Sequence, residues 1–186
     1  VFPYAAAILA VWLVWAIIVP AIDSAVSSDN PTAAGDRMQV TSTVSLAVGP
    51  DWNIDSGFRV GERGASDSLP AVVLTQSGIT FAVEADKFSG TADELLSQID
   101  AVDSATYGQS VLALSGSREP VTTEGGLSGV QIRFDTPRAA GSVTTFVARG
   151  DGIRVQVVGP PDQLANRGQE IDAMIDSVGT TEGDAR

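Results

Sequence analysis

Apolar and polar residues follow three regimes along this chain: one unbroken apolar run, several two-residue alternations, and two stripes at helical spacing. The run comes first. No charged residue precedes Asp23, and roughly 20 apolar residues suffice for a helix to cross about 30 Å of hydrocarbon, so residues 1–22 predict a single transmembrane helix. A signal peptide is the rival reading, but its apolar region is about 7–15 residues long and ends in a small-x-small cleavage site. The run here is longer, with Pro20 at its far edge. Ile8, Trp12, Trp15 and Val19 share one helix face. Ala6 and Ala10 form a small-xxx-small pair that lets another backbone come close. These six residues are read in two ways: as a contact face for a partner helix, or as a lipid-facing surface with tryptophans away from the interfaces they prefer. A chain that opens on Val1 is expected to lack its start, so orientation rests on the far flank. There Asp23 and Asp29 precede the first basic residue, Arg37, which favours a cytoplasmic N-terminus and an extracytoplasmic remainder on a single-pass cell-membrane protein.

Residues 23–37 are small and polar, with Pro31 among them, and read as a tether. If flexible, it holds the rest of the chain within about 20–25 Å of the membrane. Residues 38–48 alternate and predict one strand with Val44, Leu46 and Val48 on one face. Gly49-Pro50-Asp51 ends it and leads to Trp52, read as a core residue or as the wall of a pocket. An irregular stretch with a short strand at 58–60 comes next. Strands at 71–75 and 79–85 flank the hairpin loop Gln76-Ser77-Gly78. Thr91-Ala92-Asp93-Glu94 has the form of a capping box. It opens a helix whose apolar stripe is Leu95, Leu96, Ile99 and Val102, with Asp93, Glu94, Asp100 and Asp103 as its solvated side.

Three further strands, at 127–134, 142–149 and 153–158, are joined by turn-rich segments and predict an antiparallel meander. Pro160-Pro161 starts a last helix carrying Leu164, Gly168, Ile171, Ile175 and Val178 on one stripe. Gly168 is expected to permit close packing on the sheet, and Gly179 to end the helix in a left-handed conformation. Residues 180–186 form a polar tail. The fold class is α+β: an N-terminal transmembrane helix, then one domain at 38–179 built as a twisted antiparallel sheet packed by helices.

Charge and composition narrow the function. The formal net charge is −12, all of it beyond the apolar run. That disfavours nucleic acid and anionic membrane surfaces as partners, since both require clustered Lys and Arg. One lysine, Lys87, stands beside ten arginines, a bias typical of a GC-rich genome such as an actinobacterium's. The chain has no histidine and no cysteine. This removes Ser-His-Asp and Cys-His catalysis, the usual zinc and copper ligand sets, haem ligation by His or Cys, and Fe–S clusters.

Three motifs approach known sites without matching them. Asp51-Trp52-Asn53-Ile54-Asp55-Ser56 with Glu62 is close to a calcium loop, but Ser56 stands where glycine makes the sharp turn, and a strand leads in. Gly125-Gly126-Leu127-Ser128-Gly129 lacks both the P-loop lysine and dinucleotide glycine spacing and reads as a turn. Lys87 has no identifiable nucleophile partner. No catalytic residue, cofactor or metal ligand is assigned.

Several segments together resemble a known family. They are the strand ending at Trp52, the Thr91-Ala92-Asp93-Glu94-Leu95-Leu96 helix start, Pro120-Val121-Thr122-Thr123-Glu124-Gly125, the hairpin with Phe146-Val147-Ala148, and the closing Ile175-Asp176-Ser177-Val178. In combination they resemble PsbP-like domains, which actinobacterial cell-envelope proteins carry on lipid anchors or single spans. The chain departs from the pattern in lacking glycine immediately before Trp52 and an acylated cysteine. The resemblance implies a twisted antiparallel sheet with helices against it and a non-enzymatic accessory, assembly or binding role on a membrane protein complex. The actinobacterial cytochrome bcc–aa3 respiratory supercomplex is the favoured host, and a mycolate-lipid exporter the alternative. A second reading is a module that binds a lipid or other apolar ligand in a sheet–helix cavity.

Overall fold

The computed structural model describes residues 30–62, 69–107, 117–135 and 140–180, with side chains in the first helix described up to Ala101. The expected membrane helix, and with it Ala6, Ile8, Ala10, Trp12, Trp15 and Val19, lies outside the described residues. Among the described residues no helix is long and apolar enough to cross a membrane. The chain divides into two compact units at Asn30, and every described strand and helix belongs to the second, Pro31–Arg186.

In chain order the elements are β1 (Arg37–Gln39), β2 (Val44–Ala47), β3 (Asn53–Ser56), β4 (Phe58–Arg59), β5 (Val72–Gln76), β6 (Ile79–Lys87), α1 (Ala92–Tyr107), β7 (Arg118–Thr122), β8 (Ser128–Asp135), β9 (Ala140–Ala148), β10 (Asp151–Gly159), α2 (Pro161–Asp176) and β11 (Gly179–Thr180). Seven strands form one antiparallel sheet in the order β3-β5-β6-β10-β9-β8-β7, and four form a second in the order β11-β2-β1-β4. The α+β class and the antiparallel meander β8-β9-β10 agree with the sequence.

The register shows why the sheet has two different faces. Phe81, Val83, Val155, Val157 and Phe146 alternate inward on the central strands and join Met38, Val44, Leu46, Ile171, Met174 and Ile175 in the main core. The opposite face of β8 and β9 receives α1, where Leu96 packs with Ile132, Phe134 and Val143. The capping box at the start of α1 is formed. The Thr91 amide donates to Glu94 Oε2 (2.8 Å), and the Glu94 amide donates to Thr91 Oγ1 (3.2 Å).

The structure differs from the sequence reading in several places, and strand β3 lies in the stretch read as irregular. The expected strand at 38–48 is a hairpin, with Met38 opposite Leu46. Thr41-Ser42-Thr43 folds the chain back, and the Thr43 amide donates to Thr41 Oγ1 (3.2 Å), a local bond that competes with strand continuation. Residues 31–37, read as tether, are docked. Thr32 is 3% exposed, donates through Oγ1 to the Gly49 carbonyl (2.6 Å) and accepts from the Trp52 amide (3.0 Å). β7 is unforeseen because it holds Pro120, which a sheet edge tolerates and a central strand does not; β7 is that edge. Finally, Gly179 is not a left-handed terminator. The helix ends at Ser177 (φ −78°, ψ −8°), and Gly179 pairs with Ser45 in the small sheet.

Both tight hairpins are two-residue turns with positive φ at each position: Ser77-Gly78 (52° and 78°) and Arg149-Gly150 (53° and 83°). That is the type I′ geometry, whose twist matches the flanking strands. Strand β10 therefore begins at Asp151, two residues before the predicted start.

Candidate functional site

Where the β8–β9 hairpin meets the first turns of α2, the sheet and helix diverge and leave a groove of about 390 Å³. Its apolar surface comes from Phe134 on β8, Val157 on β10, and Leu164 and Ile171 on α2. These positions follow from the elements themselves. Val157 is an inward residue of an alternating strand, and Leu164 and Ile171 lie two turns apart on one helix stripe.

Two glycines shape the groove in different ways. At Gly141 an added Cβ would overlap the Val157 carbonyl oxygen and lie 2.7 Å from Phe134 Cζ, so the strand pair and Phe134 leave no room for a side chain. At Gly168, in the middle of α2, an added Cβ would meet nothing within 4 Å. Close packing on the sheet is therefore not what Gly168 provides, contrary to expectation. It leaves bare helix backbone facing the groove instead.

The polar residues at one end are held but not saturated. Gln131, 4% exposed, donates through Nε2 to Thr144 Oγ1 (3.0 Å) and accepts at Oε1 from Arg133 Nε (3.0 Å). This fixes the Arg133 guanidinium at the rim through one nitrogen and leaves both Nη groups without a partner among the described residues. Ser142 is 9% exposed and lines the groove. Its hydroxyl is not a buried orphan: among the described residues the buried side-chain polar atom without a partner is Gln76 Oε1, outside the groove. Asp135 and Asp172 complete the rim, and neither is in an ion pair among the described residues. The set combines apolar surface with the Arg133 guanidinium and two carboxylates. It suits recognition, and the chain has no histidine or cysteine to add a conventional base or thiol nucleophile.

The motifs weighed from the sequence have other fates. Trp52 is fully buried, a core residue and not a pocket wall. The calcium-like stretch runs through extended strand β3, where Asn53 Nδ2 donates to Asp55 Oδ1 (2.5 Å), while Glu62 accepts from the Arg59 amide (3.1 Å). Gly125-Gly126 is a turn with φ +78° at Gly126. Lys87 pairs with Asp151 (2.6 Å) at the β6–β10 boundary. Arg133, Ser142, Asp135 and Asp172 escape sequence reasoning, because strand alternation and helix spacing give no sign of which strand ends meet which helix turn. Gly168 is the one visible signal, a glycine where the stripe calls for a side chain.

The sequence matches no family model and no curated protein. Among solved structures the chain is similar to the solution structure of cyanobacterial PsbP (CyanoP) from Synechocystis sp. PCC 6803. The TM-score is 0.53 at 13% sequence identity, covering 80% of this chain and 94% of that one. The fold is PsbP-like, with antiparallel sheets and two helices among the described residues.

Proposed function

We propose that this chain is a non-enzymatic, single-span accessory subunit that docks its acidic extracytoplasmic domain on a larger membrane protein complex. The observation that carries this reading is the groove, an open surface feature with apolar walls and a charged rim of Arg133, Asp135 and Asp172. The PsbP-like fold supports it through the accessory roles that the resemblance implies. The apolar run at 1–22 supports a membrane location. The favoured host is the actinobacterial cytochrome bcc–aa3 supercomplex, and a mycolate-lipid exporter is the alternative.

The test is purification of the C-terminally tagged chain from its native membrane in mild detergent. Stoichiometric recovery of bcc–aa3 subunits is the expected result. Recovery of exporter subunits would move the assignment to the alternative host, and a chain that elutes alone from intact membranes would overturn the reading.

A second reading has a specific observation in its favour. The groove volume lies within the roughly 300–1,000 Å³ range of small-molecule sites, which are mostly apolar with a few placed polar groups. A lipid or other apolar ligand bound there would make the chain a carrier or sensor.

A further inference from the structure

We infer that residues 31–34 form a strap, pegged at Thr32, that opens as a unit while the rest of the domain stays folded. When closed, it blocks the start of the β3 edge.

β3 is the end strand of the seven-stranded sheet, opposite β7. The backbone groups of an edge strand pair readily with another chain unless something covers them. Here the strap covers them. Pro31 pairs antiparallel with Asn53 in an isolated bridge. The Thr32 amide donates to the Trp52 carbonyl (2.7 Å), and the Asp51 amide donates to the Thr32 carbonyl (2.9 Å). The Trp52 amide is met by a side chain: it donates to Thr32 Oγ1 (3.0 Å), which in turn donates to the Gly49 carbonyl (2.6 Å). One threonine thus serves donors and acceptors of the turn that leads into β3.

The strap is held by polar contacts. Among residues 31–35 Thr32 alone is buried, while Pro31, Ala33, Ala34 and Gly35 are exposed. Segments with few buried apolar contacts open at a lower free energy than the core. Where the opening stops is also built in. The Asp36 amide donates to the Ala33 carbonyl (3.1 Å), closing a turn with Gly35 at φ +91°, where an added Cβ would meet nothing within 4 Å. Beyond this turn the chain is fixed: the Val48 amide donates to the Asp36 carbonyl (3.0 Å), and Met38 is fully buried. Gly35 is therefore the hinge. Arg59 of β4 reaches both sides of it, with Nη2 on the Pro31 carbonyl (3.1 Å) and Nε on Asp36 Oδ2 (2.8 Å). Arg59 and Thr32 grip neighbouring residues of one short segment, so the loss of either grip frees both.

Opening uncovers the Asp51 and Trp52 amides with the Gly49 and Trp52 carbonyls, the kind of backbone groups that an added strand uses. In the closed state the chain supplies that strand itself.

Hydrogen exchange of the full chain at pH 7, read residue by residue by NMR, tests this. The amides of Thr32, Ala33, Asp51 and Trp52 report opening of the strap. The Val48 amide reports its base, and amides of β9 and β10 report global unfolding. In the unmodified chain the strap reporters should be less protected than Val48 and the central strands by about tenfold or more. Thr32→Val should speed all the strap reporters together by about tenfold or more. Arg59→Met acts at Pro31 and Asp36, outside the Thr32 hydroxyl network, yet should speed the same reporters by about threefold or more. The inference is overturned if the strap reporters are as protected as the central strands, because the strap then opens only with the whole fold. It is equally overturned if Thr32→Val speeds Trp52 alone, or if Arg59→Met leaves Asp51 and Trp52 unchanged, since the contacts would then break independently. It also fails if either variant speeds the β9 and β10 amides by the same factor as the strap reporters.

Discussion

The indole N–H of Trp52 donates to the Glu170 carboxylate of α2 (Nε1···Oε1 2.9 Å), joining the turn after β2 to the closing helix across 118 residues of chain. Trp52 is fully buried and meets Phe81 edge-to-face, with ring centroids 6.1 Å apart. Glu170 reaches it because Gly49 is bare: a Cβ at Gly49 would overlap Glu170 Oε1. The other carboxylate oxygen accepts from Arg167 Nη1 (2.9 Å). Removing the acceptor leaves a buried donor unmatched, at a cost of about 1–3 kcal/mol. Glu170→Ala should therefore lower stability by that amount in a urea titration. Gly49→Ala should cost a comparable amount by displacing the same carboxylate, and the double variant should cost less than the sum. Full additivity would show that the two residues act separately.

Asp51, immediately before Trp52, has φ +65°, in the left-handed region where L-residues with a Cβ are disfavoured by roughly 1–2 kcal/mol. The resemblance to PsbP-like domains leads one to expect glycine here, and this chain has aspartate. The turn is kept by other means: the Asp51 amide donates to the Thr32 carbonyl (2.9 Å), and the Thr32 amide to the Trp52 carbonyl (2.7 Å). Relief of the strain exceeds glycine's greater unfolded-state entropy. Asp51→Gly should thus stabilise the domain by about 0.5–1 kcal/mol, read as a higher urea midpoint at unchanged slope. A lower midpoint would mean that the aspartate side chain is needed at the turn.

These two positions also show what the sequence could convey. Trp52 as a core residue, the capping box at Thr91 and the antiparallel β8-β9-β10 order were legible, because each depends on spacing within one segment. The hairpin at 40–43 was not, because its hydroxyl-to-amide bond looks like ordinary strand alternation. Nor was the docking of Pro31–Arg37, which relies on partners such as Gly49 and Arg59 that lie far along the chain. The groove was the least legible of all. It is a gap between β8, β9 and α2, and only Gly168 marked it, with the opposite expectation attached.

Asp36 and Arg59 fasten the start of the domain to β4. Arg59 Nε donates to Asp36 Oδ2 (2.8 Å), and the Ala33 amide donates to the same oxygen (2.9 Å). The Arg59 hydrogen bond is the main cause holding the Asp36 carboxyl below its ordinary value of 3.8, helped by the Ala33 amide. The unfolded chain therefore binds this proton more readily than the folded one. The stabilisation is fully present above an unfolded value of about 3.9 and is lost as pH falls through the folded value. Both side chains are about one-fifth to one-quarter exposed, so the contribution should be about 1 kcal/mol or less. Asp36→Asn should lower the urea midpoint at pH 7 and flatten its decline as pH falls below the ordinary carboxylate range. An acid limb as steep as that of the unmodified chain would place the titration elsewhere.

Gly168 separates the demands of folding from those of the groove. A glycine in a helix interior is less favourable than alanine by about 0.8–1.0 kcal/mol, and a methyl group here would touch nothing within 4 Å. Folding alone would favour alanine. Gly168→Ala should raise stability by roughly 0.5–1 kcal/mol, measured by urea denaturation, while narrowing the groove between Leu164 and Ile171. If stability falls, the sheet is closer to this turn of α2 than the structure places it, and the glycine is a packing residue. If stability rises, folding is not what holds glycine at this position, and its place on the wall of the groove is the remaining structural difference.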